Sequence, residues 1–172
     1  MKLDFKHSEE SDIPFYAALL RNKEWLSIGG FSYSDFETNS HIANYIKCRN
    51  KEDMKFVILL RRTSEKIAFC HFKKITDDSV EYFGGVRYDL INKGYGIHAA
   101  IQSIDYFYKT HSISRIKAVV LHTNYKSIRL DRAIGFIDIC EKYINGKRYI
   151  VLELTKERFY KVFLVNKLKL LI

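Results

Sequence analysis

The sequence predicts a mixed α/β fold, with a single, mostly antiparallel sheet and helices on both of its faces. The first observation is composition: 172 residues, 47% hydrophobic and 15% aromatic, are enough to bury one core. The second is that segments of helical and of strand-like periodicity alternate along the chain. The third is that one proline and no Gly/Ser/Pro-rich stretch occur, so no linker is indicated. We therefore expect residues 1–172 to form one domain.

Two helices are predicted near the N-terminus. Residues 12–26 place apolar side chains at helical spacing with Pro14 in the first turn, and the pair Gly29–Gly30 would end this helix. Ser34 and Asp35 would cap a second helix. Its predicted inward face has four apolar residues, Phe36, Ile42, Ala43 and Ile46.

Three strands are predicted next. Residues 54–61 and 67–75 are apolar, and the polar residues 63–65 between them indicate a hairpin. Residues 77–79 form a second polar turn. Residues 80–88, rich in aromatic and β-branched side chains, then form the third predicted strand.

The second half of the chain continues with helix and strand in alternation. A helix is predicted after Gly96 and should run to about Lys109. A short buried strand is predicted over residues 116–121, and a helix over residues 127–134. These segments extend the sheet by one strand and add two helices.

The chain ends with a predicted hairpin and a predicted helix. Asn145 and Gly146 stand between the strand-like residues 136–144 and 148–154, which is the sequence signal of a type I′ turn. The tail, residues 156–172, alternates cationic and apolar side chains. We expect it to be a final helix packed on the domain, with a homodimer contact or a membrane-surface contact as alternative roles.

The charge and the cysteines limit the function classes. The formal net charge is +9, but lysine and arginine are spread along the chain rather than gathered in one block. This predicts a solvated basic surface that suits a phosphorylated cofactor or an acidic substrate, and we expect no nucleic-acid partner. No apolar run is long enough to span a bilayer, and Cys48, Cys70 and Cys140 are widely spaced, so we expect a cytoplasmic protein with free thiols. The histidines and cysteines show no metal-ligand spacing, so no metal is expected.

A strand followed by Gly-x-Gly at the start of a helix is the strongest local motif. Residues 80–88 lead into Gly94 and Gly96, where a predicted helix begins. Such a segment presents backbone N–H groups and the positive end of a helix dipole to an anion. Six consecutive residues would supply these amides: Asn92, Lys93, Gly94, Tyr95, Gly96 and Ile97. The charge of Lys93 would also attract the anion.

A second segment follows about thirty residues later. An apolar strand ends in Asn124, a short helix begins near Ser127, and Gly135-Phe136 ends that helix and opens another strand. In this order and spacing, the two segments resemble the GNAT (Gcn5-related N-acetyltransferase) superfamily over about residues 54–155. The resemblance implies the fold of that family, including a sheet splayed at the cofactor strand.

The resemblance also implies acetyl-CoA as the co-substrate. In the family, the pantetheine arm pairs with the strand before the glycines, and the matching backbone here is Gly85, Val86 and Arg87. Gly84 and Gly85 would make splaying or a β-bulge easy at this place. Asn124 would contact the pantetheine arm or the chain around it, and it would also cap the following helix.

Catalytic roles are less determined. Glu81 and His122 are both candidates for the base that removes the ammonium proton. For the acid that protonates the leaving thiolate, Ser127 matches ribosomal-protein-type members. Many members carry a tyrosine at the position of Asp131, whose carboxylate we expect to be ionised and therefore a poor acid. The open alternative is a thiolate that leaves unassisted or takes its proton from water or Tyr125.

The predicted function is an N-acetyltransferase that moves an acetyl group from acetyl-CoA to a primary amine of a small molecule or amino sugar. The amine would attack the thioester directly in a ternary complex. The alternatives are a protein N-terminal or ribosomal-protein-type acetyltransferase and a non-catalytic domain that binds CoA or another anionic ligand.

Overall fold

The structure, a computed structural model, describes residues 1–29, 33–47 and 53–169, without the side chains of residues 164–169. Seven strands are described: β1 Leu3–His7, β2 Met54–Leu60, β3 Lys66–Thr76, β4 Ser79–Val86, β5 Arg115–Leu121, β6 Ile137–Ile144 and β7 Lys147–Thr155. Six α-helices are described: α1 Ile13–Leu20, α2 Lys23–Gly29, α3 Asn39–Ile46, α4 Tyr95–Thr110, α5 Tyr125–Ile134 and α6 Lys156–Lys169.

All seven strands belong to one sheet. Their order is β1-β2-β3-β4-β5-β7-β6. Every neighbouring pair is antiparallel except β4 and β5, which are parallel because α4 crosses over between them. The predicted mixed, mostly antiparallel sheet is confirmed.

Each face of the sheet has its own apolar core, because side chains alternate between the two faces of a strand. On one face, α1, α2 and α3 pack over Val57 and Phe69. On the other face, α4, α5 and the start of α6 cover the alternate residues, among them Cys70 and Phe72. Phe72 stacks on Phe107 of α4 with ring centroids 4.0 Å apart. The prediction of helices on both faces is confirmed.

The order of elements was predicted incorrectly at the N-terminus, where a strand precedes the helices. In β1, Leu3 is buried and Phe5 stacks on Tyr106 of α4, while Asp4 and Lys6 alternate with them. Because charged residues alternate with the apolar ones in this short edge strand, the sequence pattern did not indicate a strand. Pairing with β2 over its whole length decides the conformation.

The helix predicted over residues 12–26 is two helices. Asn22 accepts a hydrogen bond from the amide of Trp25 through its side chain (2.9 Å), so it starts α2 as a new helix. Gly29 is the last residue of α2, and Gly30 lies outside the described residues.

The predicted cap of the next helix was also wrong. Ser34 and Asp35 lie in a 3₁₀ turn over Tyr33–Phe36, and Thr38 caps α3 by accepting from the amide of His41 at 3.1 Å. Both Thr38 and the Ser34-Asp35 pair are cap-forming residue types, and the contact of Phe36 with the core favours the later start.

The C-terminal predictions are confirmed. Asn145 and Gly146 both have positive φ, 48° and 74°, as a type I′ turn between β6 and β7 requires. The tail forms α6, whose Phe159 is buried against Tyr108.

Of the cysteines, Cys70 is buried and Cys140 is exposed, whereas Cys48 lies outside the described residues. No helix in the described part of the chain is both long and apolar enough to cross a bilayer.

Candidate active site

The sheet opens between β4 and β5. The two strands pair only at Ser79–Glu81 with Arg115–Lys117, although β4 continues to Val86 and β5 to Leu121. Past the paired residues they enclose a cavity of about 390 Å³, which we call the interstrand cavity. The predicted splay of the cofactor strand is therefore present. The cavity connects the start of α4 on one face of the sheet with α2 on the other.

Glycines in β4 make room for aromatic rings from both faces. A Cβ atom on Gly85 would overlap Cζ2 of Trp25, and one on Gly84 would lie 2.7 Å from the hydroxyl oxygen of Tyr82. The sequence left splaying or a β-bulge open at these glycines, and the pairing of β4 with β3 runs through both without irregularity, so they form no bulge. The glycines are needed because Trp25 and Tyr82 occupy the space where side chains would be.

The backbone of β4 turns alternate residues toward the cavity. The amide of Arg87 donates to Ile67 in β3 (2.9 Å), and Gly85 faces β3 in the same way because the pattern repeats every second residue. Gly85 and Val86 line the cavity and Arg87 does not, and cofactor binding by the backbone of these three residues stays a prediction. Gly84 and Val86 point their backbone groups to the cavity, and the Val86 carbonyl accepts from Nε1 of Trp25 at 3.1 Å.

The side chain of Arg87 does not line the cavity. Its guanidinium binds Asp89 at 2.7 Å and Glu65 at 2.7 Å on the surface, and this ion-pair network raises its pKa. Arg87 therefore holds the turn after β4 to the β2–β3 connection.

The glycine loop forms one mouth of the interstrand cavity. Asn92 and Gly94 have positive φ, 65° and 82°, and turn the chain into α4. The first amides of a helix have no intrahelical partner, and the first bond inside α4 runs from His98 to Gly94. Of the six predicted loop residues, Lys93 is exposed outside the cavity and Tyr95 packs against the core. The other four line the cavity: Asn92, Gly94, Gly96 and Ile97.

The start of α5 forms a further wall. Asn124 caps the helix, with its side-chain oxygen accepting from the amide of Ser127 at 3.2 Å, and both residues line the cavity. The predicted capping role of Asn124 is confirmed. Leu130, one turn further, lies 3.4 Å from a Cβ built on Gly96, so α4 and α5 meet closely at the glycine loop.

Asp131 is buried in the same wall. Its residue is 4% exposed, and it lines the cavity next to Ser127 and Leu130. Burial raises the pKa of this carboxyl group to about 7, so about half of it holds a proton at neutral pH, where the sequence analysis expected an ionised carboxylate. The sequence reading could not foresee this, because desolvation depends on the fold around the residue.

Neither candidate base lines the interstrand cavity. Glu81 lies where β4 and β5 are still paired, between Lys73 of β3 and Lys117 of β5 in the sheet register. His122 follows β5; its amide donates to Arg148 and its ring lies 6.1 Å from that of Tyr125, beside the β6–β7 hairpin. The catalytic roles of both residues stay predictions.

Comparison with known proteins identifies the family. The acetyltransferase (GNAT) domain family matches residues 2–137, which is most of the chain. The chain belongs to the GNAT acetyltransferase family. It is therefore an acyltransferase by family. The match to the family ends at residue 137, where β6 begins. No curated protein sequence matches the chain significantly.

Solved GNAT structures share the fold. A spermidine N-acetyltransferase from Vibrio cholerae, in complex with CoA and spermine, has a TM-score of 0.80 at 17% identity, covering 92% of this chain and 98% of that chain. An aminoglycoside acetyltransferase in complex with coenzyme A has a TM-score of 0.76 at 12% identity, covering 93% and 98%. The ribosomal-protein-S5-alanine acetyltransferase from Vibrio fischeri has a TM-score of 0.72 at 19% identity, covering 92% and 96%. At these identities the likeness establishes the fold.

Sequence reasoning missed two residues of this GNAT site. Trp25 and Tyr82 both line the interstrand cavity, one from α2 and one from β4. Neither belongs to a local motif. The one available signal was the Gly84-Gly85 pair inside an aromatic strand, since adjacent glycines in a strand can mark the close approach of another group.

We predict that Gly85→Ala destabilises the protein by about 1–3 kcal/mol, because the new methyl group overlaps the indole of Trp25. Trp25→Ala alone removes a buried ring and costs about 3–5 kcal/mol. The double variant should be less destabilised than the sum of the two, since the overlap no longer exists. Urea unfolding of all four proteins measures this coupling, and strictly additive values would contradict the contact.

We predict that Asp131→Asn stabilises the protein by about 1–3 kcal/mol at pH 8 and has little effect near pH 4. Burial moves the pKa of the Asp131 carboxyl from 3.8 to about 7, so ionisation above that pH opposes folding. The stability gained by Asp131→Asn is therefore fully present above the folded-state pKa. It is lost as the pH falls toward the unfolded-state pKa. Chemical denaturation at both pH values measures it. Asp77→Asn at a fully exposed turn is the control, and because Lys74 lowers the pKa of Asp77, this variant should not gain stability at pH 8. An equal difference at both pH values would disprove the raised pKa.

Proposed function

We propose that the protein transfers the acetyl group of acetyl-CoA to a primary amine of a small molecule, by direct attack in a ternary complex inside the interstrand cavity. The observation that carries this proposal is the continuous cavity between the parted strands, with the start of α4 at one mouth and α2 at the other. Two substrates that react directly need such a passage, since each must reach the same point from its own side.

The glycine loop would hold the pyrophosphate of the cofactor. The amides at the start of α4 point along the helix axis toward an incoming anion, and the helix dipole favours negative charge there. Lys93, exposed beside the loop, adds a cation. The net charge of +9 further attracts a polyanionic cofactor.

The pantetheine arm would occupy the gap between β4 and β5. Gly84 and Val86 turn backbone groups into that gap, and an extended amide chain can bond to them as a further strand would. Asn124 and Ser127 line the gap from the opposite wall. The thioester would then lie near the level of Ser127 and Asp131.

The amine would enter from the side of α2. There the cavity is lined by Trp25, Ile28 and Phe83, which give apolar and aromatic surface. Among the described residues that line it, Asp131 is the one carboxyl group. A polyamine carries several ammonium groups that carboxylates would balance, so this lining favours an acceptor with one amine on a ring-shaped body, such as an amino sugar.

The acceptor class is tested with a panel assayed by release of free thiol from acetyl-CoA. The panel contains an amino sugar, an aminoglycoside, spermidine and a peptide with an N-terminal alanine. Fastest turnover of the amino sugar or the aminoglycoside supports the proposed class, and fastest turnover of the peptide would make the protein a protein N-terminal acetyltransferase. Binding of acetyl-CoA without turnover of any amine would indicate a non-catalytic CoA-binding domain.

We predict that Gly96→Ala weakens acetyl-CoA binding by about 1–3 kcal/mol without destabilising the fold. Gly96 is already helical, and its new Cβ would meet Leu130 and Val86 at ordinary contact distances of 3.4 and 3.8 Å, on the side of the cavity. Calorimetry measures the affinity, and Thr110→Ala at the far end of α4 is the matched control. An affinity equal to that of the wild type would exclude the glycine loop as the cofactor site.

The two candidate bases are separated by Glu81→Gln and His122→Ala. Loss of a general base lowers kcat by about 10²–10⁴, and either residue would have to act through water, since neither lines the cavity. We expect one of the two variants to show this loss over about pH 6–9. If both retain wild-type rates, the proton leaves directly to solvent and both assignments fail.

A further inference from the structure

Asp131 occupies an unusual place for an acidic residue. It lies on α5 one turn after Ser127, is 4% exposed and borders the interstrand cavity. Among the described residues, none forms a hydrogen bond or an ion pair with its carboxyl group, and desolvation by burial raises its pKa. A buried carboxyl group normally has a partner. Here its open side faces the place where substrates would lie.

The groups around Asp131 do not neutralise it. From β4, the hydroxyl of Tyr82 faces the same cavity and is itself 3.5 Å from the hydroxyl of Ser103 on α4, with the buried Cys70 of β3 close by. From the first turn of α5, Lys126 lines the outer part of the cavity and is exposed.

The nearby arginines have other partners or face the solvent. Arg132 is bound to Asp138 at 3.1 Å, Arg158 donates to the carbonyl of Gly135 at 2.6 Å, and Arg129 is exposed. In the part of the chain that the structure describes, the carboxyl group of Asp131 therefore has no cationic partner.

We propose that Asp131 is the acid that gives its proton to the sulfur of coenzyme A when the thioester breaks. This rests on the proposed function. The amine nitrogen bonds to the acetyl carbon, and the carbon–sulfur bond breaks with its electron pair going to sulfur. The carboxyl proton of Asp131 then moves to sulfur, so that the products are the N-acetylated amine and the free thiol. The nitrogen releases its proton through the base, and the Asp131 carboxylate regains one from water.

Asp131 lies on the face of the sheet where the thiol would be, and the amine would enter from the other face. Asp131 and the glycine loop belong to α5 and α4, which cover the same face. Trp25 and Phe83, where the amine would enter, belong to the opposite face. Burial also raises the pKa to about 7, so that about half of the carboxyl groups hold a proton at neutral pH, whereas a serine hydroxyl is a much weaker acid.

The test uses hydroxylamine as the acceptor, because it is a small nucleophile that is largely unprotonated at neutral pH and needs no base. Free thiol is measured at saturating acetyl-CoA over about pH 6–9, after subtraction of the rate without enzyme. For the wild type we expect kcat to fall as the pH rises through about 7. Asp131→Asn should lower kcat by about 100-fold or more and remove this pH dependence. Asp131→Glu should restore part of both.

Controls separate this proposal from the proposed function and from a structural effect. Calorimetry should give the same acetyl-CoA affinity for Asp131→Asn as for the wild type, and the exposed Asp77→Asn should keep the wild-type pH profile. Absence of acetyl-CoA binding to the wild type would overturn the proposed function itself. The carboxyl ¹³C resonance of Asp131 should titrate near pH 7 whether or not an acceptor is present.

Three outcomes would overturn the role of Asp131 while leaving acetyl transfer intact. Wild-type rates in Asp131→Asn would remove it from the reaction. A rate that rises through about pH 7 and is lost in this variant would make Asp131 a base. A larger loss of kcat in Ser127→Ala than in Asp131→Asn would assign the acid role to Ser127.

Discussion

The separation of β4 from β5 is the constraint on which the rest of the structure depends. Parallel strands that part leave backbone N–H and C=O groups facing a gap, and such groups are costly when they lack partners. Part of this demand is met within the chain. The indole of Trp25 donates to the Val86 carbonyl, and the amide of Asn124 donates to the Leu121 carbonyl at 2.8 Å where the chain turns into α5. The remaining groups in the gap suit a ligand that bonds like a strand.

The same separation explains how charge is distributed. The described lining of the interstrand cavity is mostly apolar, with Lys126 at its outer part and Asp131 in its wall. The formal net charge is +9, and the exposed Lys93 lies beside the start of α4, where we propose that phosphates bind. A weakly charged interior stabilises the neutral forms of groups within it, because desolvation disfavours charge. The proposed function therefore places the phosphates at the start of α4, and the thioester and an uncharged amine in the weakly charged interior.

Local patterns predicted what depends on nearby residues. The Gly94–Gly96 turn, the cap at Asn124 and the turn at Asn145-Gly146 each follow from the conformational preferences of two or three residues. Features that depend on distant contacts were missed or misplaced. Trp25 of α2 bonds to Val86 of β4, 61 residues later, and β1 is a strand because β2 pairs with it. The sequence also allowed a β-bulge at Gly84 and Gly85, but the pairing with β3 is regular there, and Trp25 and Tyr82 occupy the space beside the two glycines.

Asp131 shows why stability alone does not account for the site. An uncharged residue of similar size, such as asparagine, would fold at lower cost above pH 7, since a buried carboxyl group without a partner opposes folding when it ionises. The surrounding α5 gains nothing from the charge, because its helix cap is Asn124 and its outer ion pair is made by Arg132. A residue that is costly to the fold, faces a cavity and holds a transferable proton near neutral pH is what an acid catalyst requires. Asp131 thus lowers the stability of the fold when it ionises, and no contact among the described residues compensates for that loss.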